Sequence, residues 1–312
     1  MSSWGLTGEP TKYSAPSDGQ IPRSMPPPLP DMKQAIAQAV DPTGHRVVGI
    51  GFEGTQSAPS AMLGVVWKDG QSIVLKPLAP HKFCSAEAIS GDVSTIVGSS
   101  WAEDAITRVA VVWPGKLEPT TLMVLAGADG SAASHVSEKG KVVVGTSWKK
   151  GSWTHIFRWT KEAGMDDLGN GAPAGVSSDG EVVACNLVSD DQKSGGCLWM
   201  KSGGLVRIPL LPNCEESKIN AMTADGTVAV GTMWRGDKKK PTNKRPFLFK
   251  RGAPVIDLTH GDDQAWGEAL AVDEKGENAA GWSFTSPDYS ERLSSATHWS
   301  HEVETVGLGA HS

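Results

Sequence analysis

The chain has 312 residues, 39% of them hydrophobic, and 29 Lys and Arg against 35 Asp and Glu, a formal charge of −6. That balance excludes nucleic acid as the main partner, because phosphate binding needs a dense basic footprint. No stretch approaches the roughly eighteen apolar residues of a membrane-crossing helix. Thirty-six Gly and twenty Pro call for frequent turns, the habit of all-β proteins with many short strands.

Residues 1–30 are rich in Pro, Gly and Ser and are expected to be irregular, packing beside the folded body. Their first twenty residues have neither a basic start nor an apolar run, so they do not read as a Sec signal peptide. That leaves a cytoplasmic chain, another export route or a mature form open. Residues 31–40 (DMKQAIAQAV) look helical locally, with Asp31 as a cap, but their phase in the repeat described next predicts a strand for the second half.

From Asp31 to Ser312 the chain repeats itself. A β-branched or small pair ending in a small residue recurs at Gly49, Gly98, Gly145, Cys185, Gly231 and Gly281. Eight residues before each stands a small polar residue: Asp41, Ser90, Ser137, Ser177, Thr223 and Asp273. Five before it lies a turn glycine (Gly44, Gly140, Gly180, Gly226, Gly276), with Val93 in the second copy. Three after it come Phe52, Trp101, Trp148, Trp234 and Phe284, with Val188 breaking the series. A second aromatic series follows at Trp67, Trp113, Trp159, Trp199, Phe249 and Trp299. Twelve Trp against six Phe and two Tyr is therefore one set of core positions copied many times.

Each copy parses into four short strands. In the third, Ala132–Ser137 leads through a Lys-Gly turn to Lys141–Trp148, a polar loop to His155–Trp159, and a fourth strand ending at Leu168-Gly169. His155, Phe157 and Trp159 share one face of their strand. Four-stranded units of this length with no room for helices predict an all-β fold, a six-bladed β-propeller of antiparallel blades. The units run about 31–79, 80–126, 127–170, 171–212, 213–260 and 261–312. Leu29-Pro30 precedes the first unit as Leu78-Ala79, Leu125-Ala126 and Leu211-Pro212 precede later ones, so residues 21–30 read as a remnant fourth strand. The last unit carries its own, Glu304–Gly309, and ring closure is expected without obligatory strand exchange.

Residues 155–184, HIFRWTKEAGMDDLGNGAPAGVSSDGEVVA, resemble the HAF-type bacterial extracellular repeat, named for a His-Ala-Phe tripeptide. The match joins an aromatic-Arg-Trp-Thr strand, a Gly-Met-x-Asp-Leu-Gly strand and a Val-Ser-x-Asp-Gly-x-x-Val-Val hairpin. Ile156 replaces the middle Ala, and Cys185 replaces the Gly that should follow. The resemblance implies a bacterial protein, secreted or at the cell surface, adhesin- or autotransporter-passenger-like. It implies no catalytic residues.

The chemistry-bearing residues are few. Four cysteines include Cys185 and Cys197, expected to face one another on adjacent antiparallel strands, either as a disulfide or as small buried residues. No Cys or His spacing fits zinc, so no metal and no cofactor is expected. Ser177-Ser178-Asp179-Gly180 falls one residue short of a sialidase Asp-box and reads as a hairpin turn. His298 and His301 would point to opposite faces of a strand. No phosphate loop or nucleophile elbow is present. What remains is loop surface, where binding residues concentrate over rigid scaffolds. Residues 235–245 (RGDKKKPTNKR) hold six basic residues, Lys238, Lys239 and Lys240 among them, and the connection from His260 through Asp262 and Asp263 to Trp266 combines acids, a histidine and a Trp. The expected function is a non-enzymatic, monomeric binding module that presents this loop face to a protein or glycan. The alternatives are a secreted effector or immunity-type blocker, and a hydrolase or lyase acting at the channel mouth.

Overall fold

The structure, a computed structural model, describes residues 32, 34–55, 58–103, 107–236, 243–259, 266–284, 295–300 and 306–307. They form antiparallel strands and turns, with no helix among them. The first sheet runs β1 (Gln34–Val40), β2 (Arg46–Thr55), β3 (Ala58–Lys68), β4 (Gln71–Val74) in that spatial order, and the second runs β5 (Phe83–Ile89), β6 (Thr95–Trp101), β7 (Arg108–Pro114), β8 (Thr120–Met123). The third sheet has seven strands: β9 (Gly130–Val136), β10 (Val142–Lys149), β11 (Trp153–Thr160), β12 (Gly164–Val176), β13 (Val182–Val188), β14 (Ser194–Met200) and β15 (Gly204–Arg207). Two more four-stranded sheets follow: β16 (Glu216–Met222), β17 (Val228–Arg235), β18 (Asn243–Lys250), β19 (Val255–Asp257), then β20 (Trp266–Val272), β21 (Asn278–Phe284), β22 (Ser295–Ser300), β23 (Val306–Gly307).

Residues 34–40 are strand, as the repeat phase demands, and the local helical pattern loses. Where the sequence predicts separate fourth and first strands on either side of Leu168-Gly169, the structure has one strand. β12 pairs with β11 over Gly164–Asn170 and with β13 over Gly171–Val176. Gly169 and Gly171, at φ +103° and +152°, let the chain bend there without leaving the sheet. The third and fourth units therefore share a sheet, and the described residues form five sheets.

The repeated residues have specific jobs. The polar residue eight before each anchor closes its hairpin: Ser90, Ser137, Ser177 and Thr223 accept through Oγ the N–H groups of Thr95, Val142, Val182 and Val228 at 2.9–3.0 Å. Asp41 and Asp273 do the same for Arg46 and Asn278. The anchor glycines face the inner strand so closely that a Cβ at Gly49, Gly98, Gly145, Gly231 or Gly281 would run into the carbonyl oxygen of Ile36, Ser85, Ala132, Lys218 or Glu268. Beside each close approach the inner strand bulges, skipping Gln38, Glu87, Ser134, Ala174, Asn220 and Leu270 in register. Each bulge adds local bend and twist. The fourth unit carries Cys185 at the anchor, and its tight approach has moved to Gly171, which packs on the Asn186 carbonyl.

Consecutive units bury their faces on one another. Val48, Val66 and Leu75 pack with Cys84, Ala86, Ile96 and Trp113. Val97, Ala110 and Leu122 pack with Ala133, Val143 and Phe157. The same pattern joins the third unit to the fourth, the fourth to the fifth and the fifth to the sixth. Hydrogen bonds cross these junctions at a fixed position: Gly64, Ala110 and Gly196 donate their N–H to Cys84 Sγ (3.3 Å), Ser131 Oγ (2.8 Å) and Ser217 Oγ (2.8 Å) of the next unit. At the fifth junction the corresponding positions hold Pro246, which has no N–H to donate, and Gly267, which has no side-chain acceptor. The leucines of the connections are held likewise, Leu78 by Ser100 and Leu125 by Ser147. Asn186 spans the fourth junction with both amide atoms, donating to Ile219 O (2.9 Å) and accepting from Ile219 N (2.7 Å).

The outer faces of the series differ. Ala35 and Ala37 of β1 are exposed, whereas their counterparts Cys84 and Ala86, and Ser217 and Ile219, are buried. At the other end Ala280 and Ala296 are exposed, whereas Val48, Val97, Val144 and Val230 are fully buried.

Two outcomes are expected. Gly98→Ala and Gly231→Ala, whose Cβ would meet backbone, should each cost about 3 kcal/mol or more in urea unfolding, whereas Gly115→Ala, with open space around it, should cost under about 0.5 kcal/mol. Acid should destabilise in two stages. Burial pushes His135 down to about 4, so its contribution is whole above its unfolded value of ~6.5 and is lost as pH falls from there toward 4. The hydroxyls of Thr43, Ser177 and Thr223 hold Asp41, Asp179 and Asp225 below the usual carboxylate range, and the Asn278 amide does so for Asp273. Their contribution is whole above ~3.9 and is lost below it. Melting temperature measured from pH 7 to 2 should show both stages, and His135→Gln should remove the first.

Candidate functional site

The end of the sheets where second strands finish and third strands begin gathers aromatic rings and charged side chains. In the second unit Phe83, Trp101 and Arg108 stand side by side in register. Phe83 stacks on Trp101 at 6.0 Å between centroids, and the Arg108 guanidinium lies 4.2 Å over the Trp101 ring. Burial works against the Arg108 charge, and the nearby Glu87 carboxylate, at the bulge of β5, supports it. Among the described residues Arg108 Nε is buried and finds no acceptor.

The fifth unit carries Lys244 at the strand position of Arg108, but turns it to a ring of the neighbouring unit. Lys244 lies 5.1 Å over the Trp282 ring of the next unit and forms an ion pair with Glu268. Beside it, Trp234 donates its indole N–H to Glu216 Oε1 at 3.1 Å, and Glu216 Oε2 accepts the N–H of Ser194 at 2.8 Å. Glu215 pairs with both Lys193 and Arg235 at 3.4 Å. In the third unit Trp153 packs 4.3 Å from His155, whose Nδ1 lies 2.8 Å from Asp167 Oδ2. The result is a rim of aromatic rings flanked by paired charges.

Lys238, Lys239, Lys240, His260, Asp262 and Asp263 lie outside the described residues. Arg235 is at the start of its loop, pairing with Glu215. Trp266 is the first residue of β20, opposite Phe284, and only 8% exposed, so its ring offers little surface to a partner. Arg108 and Glu87 carry no signal in the sequence, and Lys244 stands there only as one of the six basic residues of 235–245; the fold lays the two cations over Trp101 and Trp282.

Cys185 and Cys197 do stand directly opposite one another. Both are fully buried free thiols, with Cys197 Sγ donating to Cys185 O at 3.5 Å. The structure has them as a buried thiol pair, and the hydrogen bond with the Cys197 thiol, followed by burial among apolar side chains, keeps Cys185 protonated. Cys84 is likewise pushed up, to about 12, by burial. Among the described residues no group of three or more His, Cys, Asp or Glu could hold a metal ion.

No family model matches the chain, and no curated protein matches it. Solved structures do. The β-propeller domain of the Trilobed protease from Pyrococcus furiosus, described as having an open velcro topology, aligns with TM-score 0.56 at 12% identity, covering 89% of this chain and 85% of that one. A prolyl endopeptidase structure aligns with TM-score 0.58 at 12% identity, covering 88% of this chain and 42% of its own. An oligogalacturonate lyase in complex with manganese gives 0.54 at 11% identity over 85% and 73%. This chain has a β-propeller fold. At such identities the likeness carries the fold alone, and the propeller's activity has to be argued from its own residues.

Replacing Arg108 by Met should leave stability within about 1 kcal/mol or raise it, because the apolar chain keeps the contact with Trp101 and removes a buried donor without an acceptor. Urea unfolding reads this directly. A loss of several kcal/mol would mean that Arg108 holds the propeller together.

Proposed function

We propose that the chain is a six-bladed, non-enzymatic binding module whose loop face takes a protein or glycan partner at a bacterial surface. The observation that carries this reading is Arg108, a cation laid over Trp101 at the loop end with its buried Nε unsatisfied among the described residues. A polar group kept dry without a partner costs stability and is retained where a ligand completes it. Lys244 over Trp282 places a second cation–aromatic pair on the same end three units on. Aromatic rings with an Arg among them are the residue types that anchor interfaces. The basic run through Lys238, Lys239 and Lys240 belongs to the same loop set.

The bacterial surface placement rests on the resemblance of residues 155–184 to the HAF-type repeat. The six-blade count rests on the sequence period and on β12 serving two units. Closure would bring Ala35 and Ala37 against Ala280 and Ala296, small apolar faces suited to a blade junction. Cysteines introduced at Ala37 and Ala280 should then crosslink within one chain on mild oxidation. Failure to crosslink would leave the blades as an open arc.

The function is tested by capture. Immobilised protein should retain a partner from bacterial surface extracts or a glycan array, and Arg108→Ala together with Lys238→Ala, Lys239→Ala and Lys240→Ala should weaken capture at least tenfold at unchanged melting temperature. Full capture by the folded variant, or turnover of a captured glycan or peptide, would overturn the reading.

A further inference from the structure

Repeat proteins show their special sites where one copy departs from the rest, and two departures meet in one groove between the third and fourth units. The residue before the third-strand aromatic is Val66, Val112, Arg158, Leu198, Leu248 and His298 in the six units. Val66, Leu198 and Leu248 are buried apolar residues, and Arg158 is a cation buried as deeply, 4% exposed. The aromatic itself is buried at Trp67, Trp113, Phe249 and Trp299, but Trp159 of the third unit and Trp199 of the fourth are only half-buried.

Arg158 is held but not saturated. Its Nε and Nη2 both donate to Gly180 O, at 3.3 and 3.2 Å, and its guanidinium lies 5.3 Å from the centre of the Trp199 ring. Its Nη1 has only Asp166 Oδ2, at 3.7 Å, beyond hydrogen-bond reach. Asp166 is half-exposed and accepts no hydrogen bond from the described residues. These groups line a groove of about 660 Å³ together with Glu162, Asp167 and Lys201. Such a volume is within the range of small-ligand sites.

The mixture of charges selects the guest. Three carboxylates (Glu162, Asp166, Asp167) repel a phosphate or other anion, while Arg158 and Lys201 repel a cation. A polyhydroxylated ring suits both sets, because each hydroxyl can donate to a carboxylate and accept from a guanidinium or ammonium group. The half-buried indole of Trp199, which lines the groove, supplies a flat apolar surface for the C–H face of such a ring. We propose that this groove binds carbohydrate, one or two pyranose rings seated on Trp199 with hydroxyls between Asp166 and Arg158. Of the residues lining it only Asp167 also belongs to the loop-end rim, and the proposal does not depend on that reading.

The test is a titration of ¹⁵N-labelled full chain with glucose, galactose, N-acetylglucosamine and galacturonic acid, followed by the indole resonance of Trp199, which Trp199→Phe identifies by its loss. Inorganic phosphate and arginine methyl ester are titrated alongside. At least one sugar should shift that resonance to saturation, and Asp166→Asn and Arg158→Leu should each weaken the effect at least tenfold. Leu stands at this position in the next two units, so Arg158→Leu should melt no more than a few degrees from the parent. If it fails to fold, Asp166→Asn alone decides. The proposal is overturned if no sugar moves the Trp199 resonance, if only phosphate or the arginine ester does, or if Asp166→Asn binds sugar as the parent does.

Discussion

Three units of this chain leave a backbone N–H on the third strand that their own sheet does not take, and the next unit takes it. Gly64, Ala110 and Gly196 donate across three junctions to Cys84, Ser131 and Ser217. A buried amide without an acceptor costs on the order of 1–3 kcal/mol, so a unit on its own carries a penalty that its neighbour removes. The apolar faces follow the same logic, because every buried core cluster spans two consecutive units. Where the acceptor is missing, at Gly267, the donor is missing too, since Pro246 holds the corresponding donor position. Stability in this architecture is a property of junctions more than of sheets.

That dependence explains why the ends differ from the middle. Five junctions are packed, and the first and last sheets present Ala35, Ala37, Ala280 and Ala296 to their outer sides. The hairpins are linked in the same sense, Asp92 donating to Glu138 O, Glu138 to Ser178 O and Ser178 to Ala224 O, a chain of backbone bonds from unit to unit. At the corresponding hairpin of the first unit stands Pro42, which cannot donate.

Much of this was legible in the sequence because the constraints are local. The hairpin-closing hydroxyl must sit five residues before the amide it accepts, so Ser90, Ser137, Ser177 and Thr223 recur in register with the anchors. A glycine pressed against a carbonyl admits no substitute without rearrangement, and the one exception, Cys185, coincides with the relocated close approach at Gly171. The bulges were not legible. Gln38, Glu87, Ser134, Ala174, Asn220 and Leu270 share no chemistry, because a bulge is a property of backbone register and leaves the side chain free. Continuity of β12 was hidden for a related reason: Gly169-Asn170-Gly171 reads as a turn, yet a sheet tolerates the same glycines as a bend. On the functional side, the loop residues stood out by composition, whereas Arg108 and Arg158 become visible only when each is compared with its counterparts in the other units. A buried cation amid Val and Leu is unremarkable in a linear reading and conspicuous in an aligned one.

The measurement that bears most directly on this account is native-state hydrogen exchange of the amides of Gly64, Ala110 and Gly196 in increasing urea. If junctions carry the stability, these three amides exchange only with global unfolding, at the same free energy as the sheet amides of Val97 and Val144. If instead they exchange several kcal/mol earlier than those sheet amides, the units open from one another while remaining folded, and the junctions do not hold the propeller together.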